Sequence, residues 1–279
     1  MTPKTALDLT GLKLERPQVW VTAYDFFQAQ LAEEAQLDAI LVGDSLGMTM
    51  LGYDSTLSVT MEDMLYHARV VRRGAPHTVM IVDLPFLSYR TVELALTNAG
   101  RLLQEAQADG VKIEGGHRLA ETVASLVAEG IPVIGHLGLT PQSVHTMGGY
   151  RVQARSREHI EQLLDDAESL AQAGISALVL EGIPDKVGAL VTERIQVPTI
   201  GIGAGHATDG QVLVFHDCLG LSAYTPKFVA PFAQGRQVLA EGLKAYRSAV
   251  LDRTFPDDDH SYHMAHKEWE RFIAGEATQ

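Results

Sequence analysis

Four carboxylates, a lysine and a histidine recur at one kind of place in this sequence, the last positions of a short apolar run. Asp44 and Ser45 follow the run at 39–42, inside Val42-Gly-Asp-Ser-Leu-Gly-Met48. Asp83 ends the run at 78–83, Glu114 the run at 110–114 and Glu181 the run at 177–181, and His136 closes the run at 132–136. Acids at strand ends are not needed to hold a parallel sheet, so four of them on separate runs point to a site. Carboxylates gathered in one place repel, and a bound cation is the natural means of keeping them all ionised. The ligand type is hard oxygen without paired His or Cys, which suits Mg²⁺ better than Zn²⁺. Lys112 lies two residues before Glu114, so in a strand both face the same side. A buried ammonium needs an anion; Glu114 and the carboxylate of a ligand both qualify. For His136 a metal ligand, a proton carrier and a hydrogen-bonded structural group all fit the position.

The elements that must hold these residues read as an alternation. Strands are expected at 19–23, 39–42, 78–83, 110–114, 132–136, 177–181, 198–202 and 211–215. Helices are expected at 26–36, 61–73, 91–108, 118–129, 158–173, 186–194 and 228–251, with Thr60 capping the second of them ahead of Glu62 and Asp63. Each strand is too apolar to face water on either side, as in a parallel sheet covered by helices. Eight such units in a chain of 279 residues have the size of a (β/α)8 TIM barrel, whose sites form at the C-terminal strand ends. A doubly wound open sheet is the alternative, but Thr22-Ala-Tyr-Asp25 is not the glycine-rich turn that its dinucleotide fingerprint requires. With no low-complexity linker the barrel is read as a single domain over 1–262, followed by a tail at 263–279.

Composition narrows the partners. The formal charge of −13 argues against a nucleic-acid backbone, which is bound through lysine and arginine. No apolar run approaches the roughly 20 residues that a membrane span needs, and the N-terminus lacks the blocks of a secretory signal. One cysteine, Cys218, suits a reducing, cytoplasmic setting and reads as a small core residue. Ile200-Gly-Ile-Gly-Ala-Gly205 fits either an anion-holding nest or tight turning and close approach. Tyr24 and Asp25 either orient a ligand or turn the chain out of the first strand. His260, His263 and His266 with Trp269 fit a solvated or oligomer-contacting helix better than a metal cluster.

Taken together, the chain resembles the ketopantoate hydroxymethyltransferase family over about 21–262. The resemblance rests on Thr22-Ala-Tyr-Asp25, Val42-Gly-Asp-Ser-Leu-Gly-Met48, Arg72-Arg-Gly-Ala-Pro76 and Asp83-Leu-Pro-Phe86 in the first half. Val111-Lys-Ile-Glu-Gly-Gly116, Gly135-His-Leu-Gly-Leu-Thr-Pro-Gln-Ser143, Ile200-Gly-Ile-Gly-Ala-Gly205 and Asp209-Gly-Gln211 carry it further. Leu221-Ser-Ala-Tyr-Thr-Pro-Lys227 departs from the family's glycine-richer form, and the tail extends past its usual end.

The resemblance implies a barrel that binds Mg²⁺ through Asp44, Asp83 and Glu114. It implies that Asp44, Ser45, Asp83 and Lys112 hold a 2-oxo acid, with Glu181 as catalytic base, and His136 is expected to hydrogen-bond beside them. It also implies 5,10-methylenetetrahydrofolate as one-carbon donor to 3-methyl-2-oxobutanoate, in pantothenate biosynthesis, and a homodecamer of two five-membered rings. The nearest rival is a Mg²⁺-dependent lyase or mutase of the phosphoenolpyruvate mutase and isocitrate lyase kind, many of which use a mobile-loop cysteine for which Cys218 is poorly placed. A barrel that only binds phosphate through its glycine run leaves the strand-end acids unexplained.

Overall fold

The computed structural model describes residues 5–275. The residues at 1–4, part of the stretch read for a secretory signal, and the end of the tail at 276–279 lie outside the described residues. The chain falls into two compact units, Met1–Phe232 and Ala233–Gln279. The first is a closed barrel of eight parallel strands in sequential order. They are β1 (Gln18–Thr22), β2 (Ala39–Val42), β3 (Val79–Asp83), β4 (Gly110–Glu114), β5 (Val133–Gly138), β6 (Ala177–Glu181), β7 (Thr199–Ile202) and β8 (Gly210–Val214). The helices of this unit are α1 (Ala6–Gly11), α2 (Phe26–Glu34), a short α3 (Leu46–Thr49), α4 (Met61–Gly74), α5 (Val92–Ala106), α6 (Ala120–Ala128), α7 (Arg157–Gln172), α8 (Asp185–Arg194) and a short α9 (Phe215–Cys218).

Side-chain alternation along the strands divides the unit into two apolar layers. Trp20, Leu41, Ile81, Ile134, Val179, Ile200 and Val212 fill the barrel interior. Their neighbours Val21, Ile40, Val82, Val111, Ile113, Leu178 and Leu180 point outward and pack under the helices. The outer layer explains why no strand shows a polar face. Helix starts follow the expected chemistry: Thr60 and Asp63 form a reciprocal capping box on α4, and Asp25 caps α2 through Gln28 N–H at 2.7 Å. Asp25 therefore turns the chain out of β1 rather than facing a ligand.

Two features lie outside the reading from sequence. The segment α1 carries Ala6 and Leu9 into the interior layer, where Gln18 Nε2 donates to the Leu9 carbonyl at 2.7 Å. It stoppers the barrel below β1, and burying Leu9 alone contributes about 1.5–3 kcal/mol. The helix expected at 228–251 starts only at Gly235, because Pro231 cannot continue a helical ladder.

The compact barrel unit accordingly ends at Phe232, whereas the reading from sequence carries it to 262. The second unit holds α10 (Gly235–Leu251) and α11 (His266–Ile273). Helix α10 exposes Val238, Leu239, Leu243 and Tyr246. In α11, His266 pairs with Glu270 at 3.1 Å and Trp269 stacks on Phe272.

Candidate active site

Parallel pairing carries the chemical groups to one end of the barrel. Asp83 is in register with Lys112, Glu114 with His136, and Gly138 with Glu181. Each of Asp83, Glu114, His136 and Glu181 lies two residues beyond an interior position and so points inward at the C-terminal mouth. With Asp44, Ser45, Lys112 and Thr22 they line one cavity of ≈ 100 Å³. That is several times the ~10–15 Å³ that one water requires, so a small ligand fits. Every residue singled out from sequence for the site, Asp44, Ser45, Asp83, Lys112, Glu114, His136 and Glu181, lines this cavity.

Lys112 is the hub. Its Nζ lies 3.0 Å from Asp83 Oδ1 and 3.6 Å from Glu114 Oε1, with all three side chains at most 3% exposed. Burial alone would discharge an ammonium, but Asp83, Glu114 and Asp44 outweigh it and hold the Lys112 pKa above its ordinary value. Lys112 is therefore a fixed positive charge and not a base. The carboxylates respond unequally. Burial, with Glu114 and Asp83 adding repulsion, pushes Asp44 well up, and burial likewise raises Asp83. Glu114 is also buried, but Lys112 and the donors around it hold it below the usual carboxylate range. The cluster thus carries more acid than its internal cations offset.

The donor set is chemically suited to a hard divalent cation: the candidate donors are all carboxylate oxygens, and Asp83 Oδ1 has only the Lys112 ammonium beside it. Among the described residues no three such side chains already close around a common point, and Lys112 Nζ stands against two of the acids.

His136 lies between two acids: Nδ1 is 3.3 Å from Glu114 Oε1 and Nε2 3.4 Å from Glu181 Oε2. The second contact is long for a hydrogen bond, and Nε2 has no closer partner. Burial and the Lys112 charge oppose protonation, but the contacts to Glu114 and Glu181 outweigh them and push the imidazole up to about 9. Lys112 Nζ also lies 3.3 Å from His136 Nδ1, and its charge is one of the terms that oppose protonation of the ring.

A linkage prediction follows. A histidine with pKa about 9 when folded and 6.5 otherwise stabilises the fold fully below pH 6.5. That contribution, on the order of 3 kcal/mol, disappears as pH rises through about 9. In chelator-treated protein, unfolding free energy should fall between about pH 6 and pH 9.5, and His136→Gln should flatten the fall. Equal slopes in parent and variant would exclude this protonation.

Around the cavity the structure gives Tyr24, which the sequence singled out, a place, and adds further residues. Tyr24 Oη lies 2.8 Å from Ser45 Oγ and 2.7 Å from Thr22 Oγ1, so Tyr24 orients the serine; burial pushes its phenol up to about 12. Gln142 and Tyr89 are hydrogen-bonded to Asp44 and Glu114. Tyr150, beside Met48 Sδ at 3.4 Å, is raised by burial and by the charge of Glu181, which places it at the mouth. Gln142 lies within Gly135–Ser143, so a motif marked its neighbourhood, but nothing marked Tyr89 or Tyr150.

Glycines make room beside two of the site residues. A Cβ on Gly43 would meet Ser45 Oγ at 2.9 Å, and one on Gly138, at φ +92°, would meet the Glu181 carbonyl at 2.2 Å. The run at 200–205 serves packing instead: Gly203 lies against the Phe228 ring and Gly205 against Asp185, both at positive φ. The adjoining hollow includes no lysine or arginine. Cys218 is half-buried with its thiol raised by burial, an unreactive setting.

A family model described as ketopantoate hydroxymethyltransferase matches residues 4–258 of this chain. The 3-methyl-2-oxobutanoate hydroxymethyltransferase of Geobacillus thermodenitrificans (strain NG80-2) is 48% identical over 278 residues, 99% of this chain and 100% of the relative. That of Thermus thermophilus is 48% identical over 260 residues, covering 93% of this chain and 99% of the relative. Among solved structures, phosphoenolpyruvate phosphomutase from Streptomyces platensis subsp. rosaceus has a TM-score of 0.62 at 15% identity, covering 98% of this chain and 96% of that one. Phosphonopyruvate hydrolase in complex with oxalate and Mg²⁺ has a TM-score of 0.60 at 12% identity, covering 98% of each chain. At such identities these two structures share the fold alone.

Proposed function

Because the chain belongs to the ketopantoate hydroxymethyltransferase family, we propose that its cavity binds 3-methyl-2-oxobutanoate and a Mg²⁺ ion together. Hydroxymethyl transfer to that acid is the reaction, and the residue roles are what the geometry supports. The observation that carries them is the convergence of Asp44, Asp83, Glu114, Lys112, His136 and Glu181 on a single cavity sized for a small acid. A lyase or mutase reading has only relatives that share the fold.

Asp44, Asp83 and Glu114 hold the ion. When bound, Mg²⁺ supplies Lewis-acid polarisation of the keto acid and offsets the acid cluster's excess charge. Lys112, fixed in its charged form, meets the substrate carboxylate, and Ser45, oriented by Tyr24, offers a hydroxyl beside it. Glu181 takes the proton from C3. His136, whose pKa is raised by its contacts to Glu114 and Glu181, is the poorer candidate base and sits against Glu181 to orient it. The C3 carbon then attacks the one-carbon unit of 5,10-methylenetetrahydrofolate, and water releases ketopantoate and tetrahydrofolate. A cavity of ≈ 100 Å³ does not enclose a pteridine, so the folate presents its methylene from the mouth, past Tyr150. The exposed apolar residues of α10 support self-association, for which a homodecamer is the form proposed, and the single unreactive cysteine suits a cytoplasmic enzyme.

The test is direct. The protein incubated with 3-methyl-2-oxobutanoate, Mg²⁺ and 5,10-methylenetetrahydrofolate should form ketopantoate, followed by chromatography, and chelator should abolish it. Product at an undiminished rate after rigorous metal removal would refute the cation's role. No product with metal and both substrates supplied would refute the reading as a whole.

A further inference from the structure

Each of the three carboxylates of the cluster has one oxygen anchored on a neutral N–H of the protein. Asp83 Oδ2 accepts from Asp44 N–H at 3.0 Å. Asp44 Oδ2 accepts from Gln142 Nε2 at 2.8 Å. Glu114 Oε2 accepts from Gln142 N–H at 3.0 Å. One residue therefore supplies two of the three anchors, one from its side chain and one from its backbone. The opposite oxygens of Asp83 and Glu114 are those that face Lys112 Nζ.

Gln142 is itself fixed. Its second Nε2 hydrogen goes to the Leu84 carbonyl at 3.0 Å, and its Oε1 accepts from Tyr89 Oη at 2.6 Å. Tyr89 Oη also accepts from Glu114 N–H at 3.3 Å. The amide thus spends both donor hydrogens, and the tyrosine hydroxyl decides which end is oxygen. With the amide reversed, Oε1 would confront Asp44 Oδ2 and the Leu84 carbonyl, acceptor against acceptor. Gln142 and Tyr89 are both buried, so water cannot replace these bonds cheaply.

We propose that Gln142, locked by Tyr89, is a positioning residue that sets which carboxylate oxygens Asp44 and Glu114 present to the cation. This rests on the Mg²⁺ reading above and goes beyond it, because Gln142 donates no ligand. Anchoring by a neutral amide turns each carboxylate without cancelling its charge; an arginine here would compete with the ion. Partners hydrogen-bonded to metal ligands in this way typically govern affinity.

The experiment is a calorimetric titration of full-length, chelator-treated protein with Mg²⁺ alone, comparing the parent, Gln142→Met and Tyr89→Phe. Gln142→Met should weaken Mg²⁺ binding by about 10- to 100-fold, and Tyr89→Phe should weaken it less, in the same direction. At saturating Mg²⁺, exchange of the C3 proton of 3-methyl-2-oxobutanoate should return toward the parent rate, a split between metal affinity and turnover that simple loss of stability does not produce. Should Gln142→Met fail to fold, Tyr89→Phe decides. Folded variants that bind Mg²⁺ within twofold of a binding parent would overturn this assignment alone. A parent that binds no Mg²⁺ would overturn it together with the cation reading.

Discussion

Glu181→Gln is expected to bind 3-methyl-2-oxobutanoate normally and to exchange its C3 proton with solvent roughly 10²-fold more slowly or worse, the loss typical of a removed general base. Glutamine keeps the shape of the side chain, and it still has an oxygen to set against His136 Nε2, 3.4 Å away in the parent. What it lacks is basicity. The other groups at the mouth cannot substitute: Lys112 is held charged, His136 has its pKa raised by Glu114 and Glu181, and Asp44 and Asp83 are engaged in the cluster. Exchange followed by NMR in deuterated buffer isolates this step from folate binding and product release. An unchanged rate would take Glu181 out of the reaction, and lost substrate binding with unchanged exchange at saturation would make it a binding group only.

Lys112→Met is expected to have the largest effect on stability. Removing one partner of a buried charged group typically costs about 3–5 kcal/mol, and here the lysine is the cation nearest two buried acids. The sign with pH is fixed by the survivors. Asp44 and Asp83 already have raised pKa values, and losing Lys112 raises them further. The penalty is therefore largest at neutral pH, where unfolding lets these groups ionise freely. It shrinks as pH falls and the folded protein can hold them protonated. Mg²⁺ should restore part of the loss, because it supplies positive charge at the same place. Urea unfolding at about pH 5 and pH 8, with and without Mg²⁺, reads all three effects. A variant within about 0.5 kcal/mol of the parent, the range of ordinary surface substitutions, would show that Lys112 is not the charge holding the cluster together.

Most of the fold was legible in the linear order of elements. The strands at 39–42, 110–114 and 177–181 fall where expected to the residue, and the other five lie within one or two positions. Buried parallel strands are legible because both of their faces are apolar and a helix-spaced segment follows nearly every one. The site's charged residues were legible for a related reason: Asp83, Glu114, His136 and Glu181 interrupt apolar runs at the end where a barrel opens, and nothing in strand packing asks for them.

Other features had no such signal. The role of α1 as a stopper depends on Leu9 reaching Trp20 and the interior of strands far along the chain, and a six-residue helix has too few turns to announce a buried face. The early close of the barrel unit at Phe232 shows only in the contacts that the folded chain makes. Gln142 and Tyr89 look like ordinary loop residues until the fold sets them against Asp44 and Glu114.

By itself, then, the chain's order of residues determined an eight-stranded parallel barrel with acids, a lysine and a histidine at its mouth, because alternation and strand-end placement are local properties. Only the tertiary structure decided the electrical state of those groups: which acid resists ionisation, why the histidine's pKa is raised, and which amide turns each carboxylate. Those depend on separations of a few ångströms in a water-poor cavity, where Coulomb energies are large and change steeply with distance.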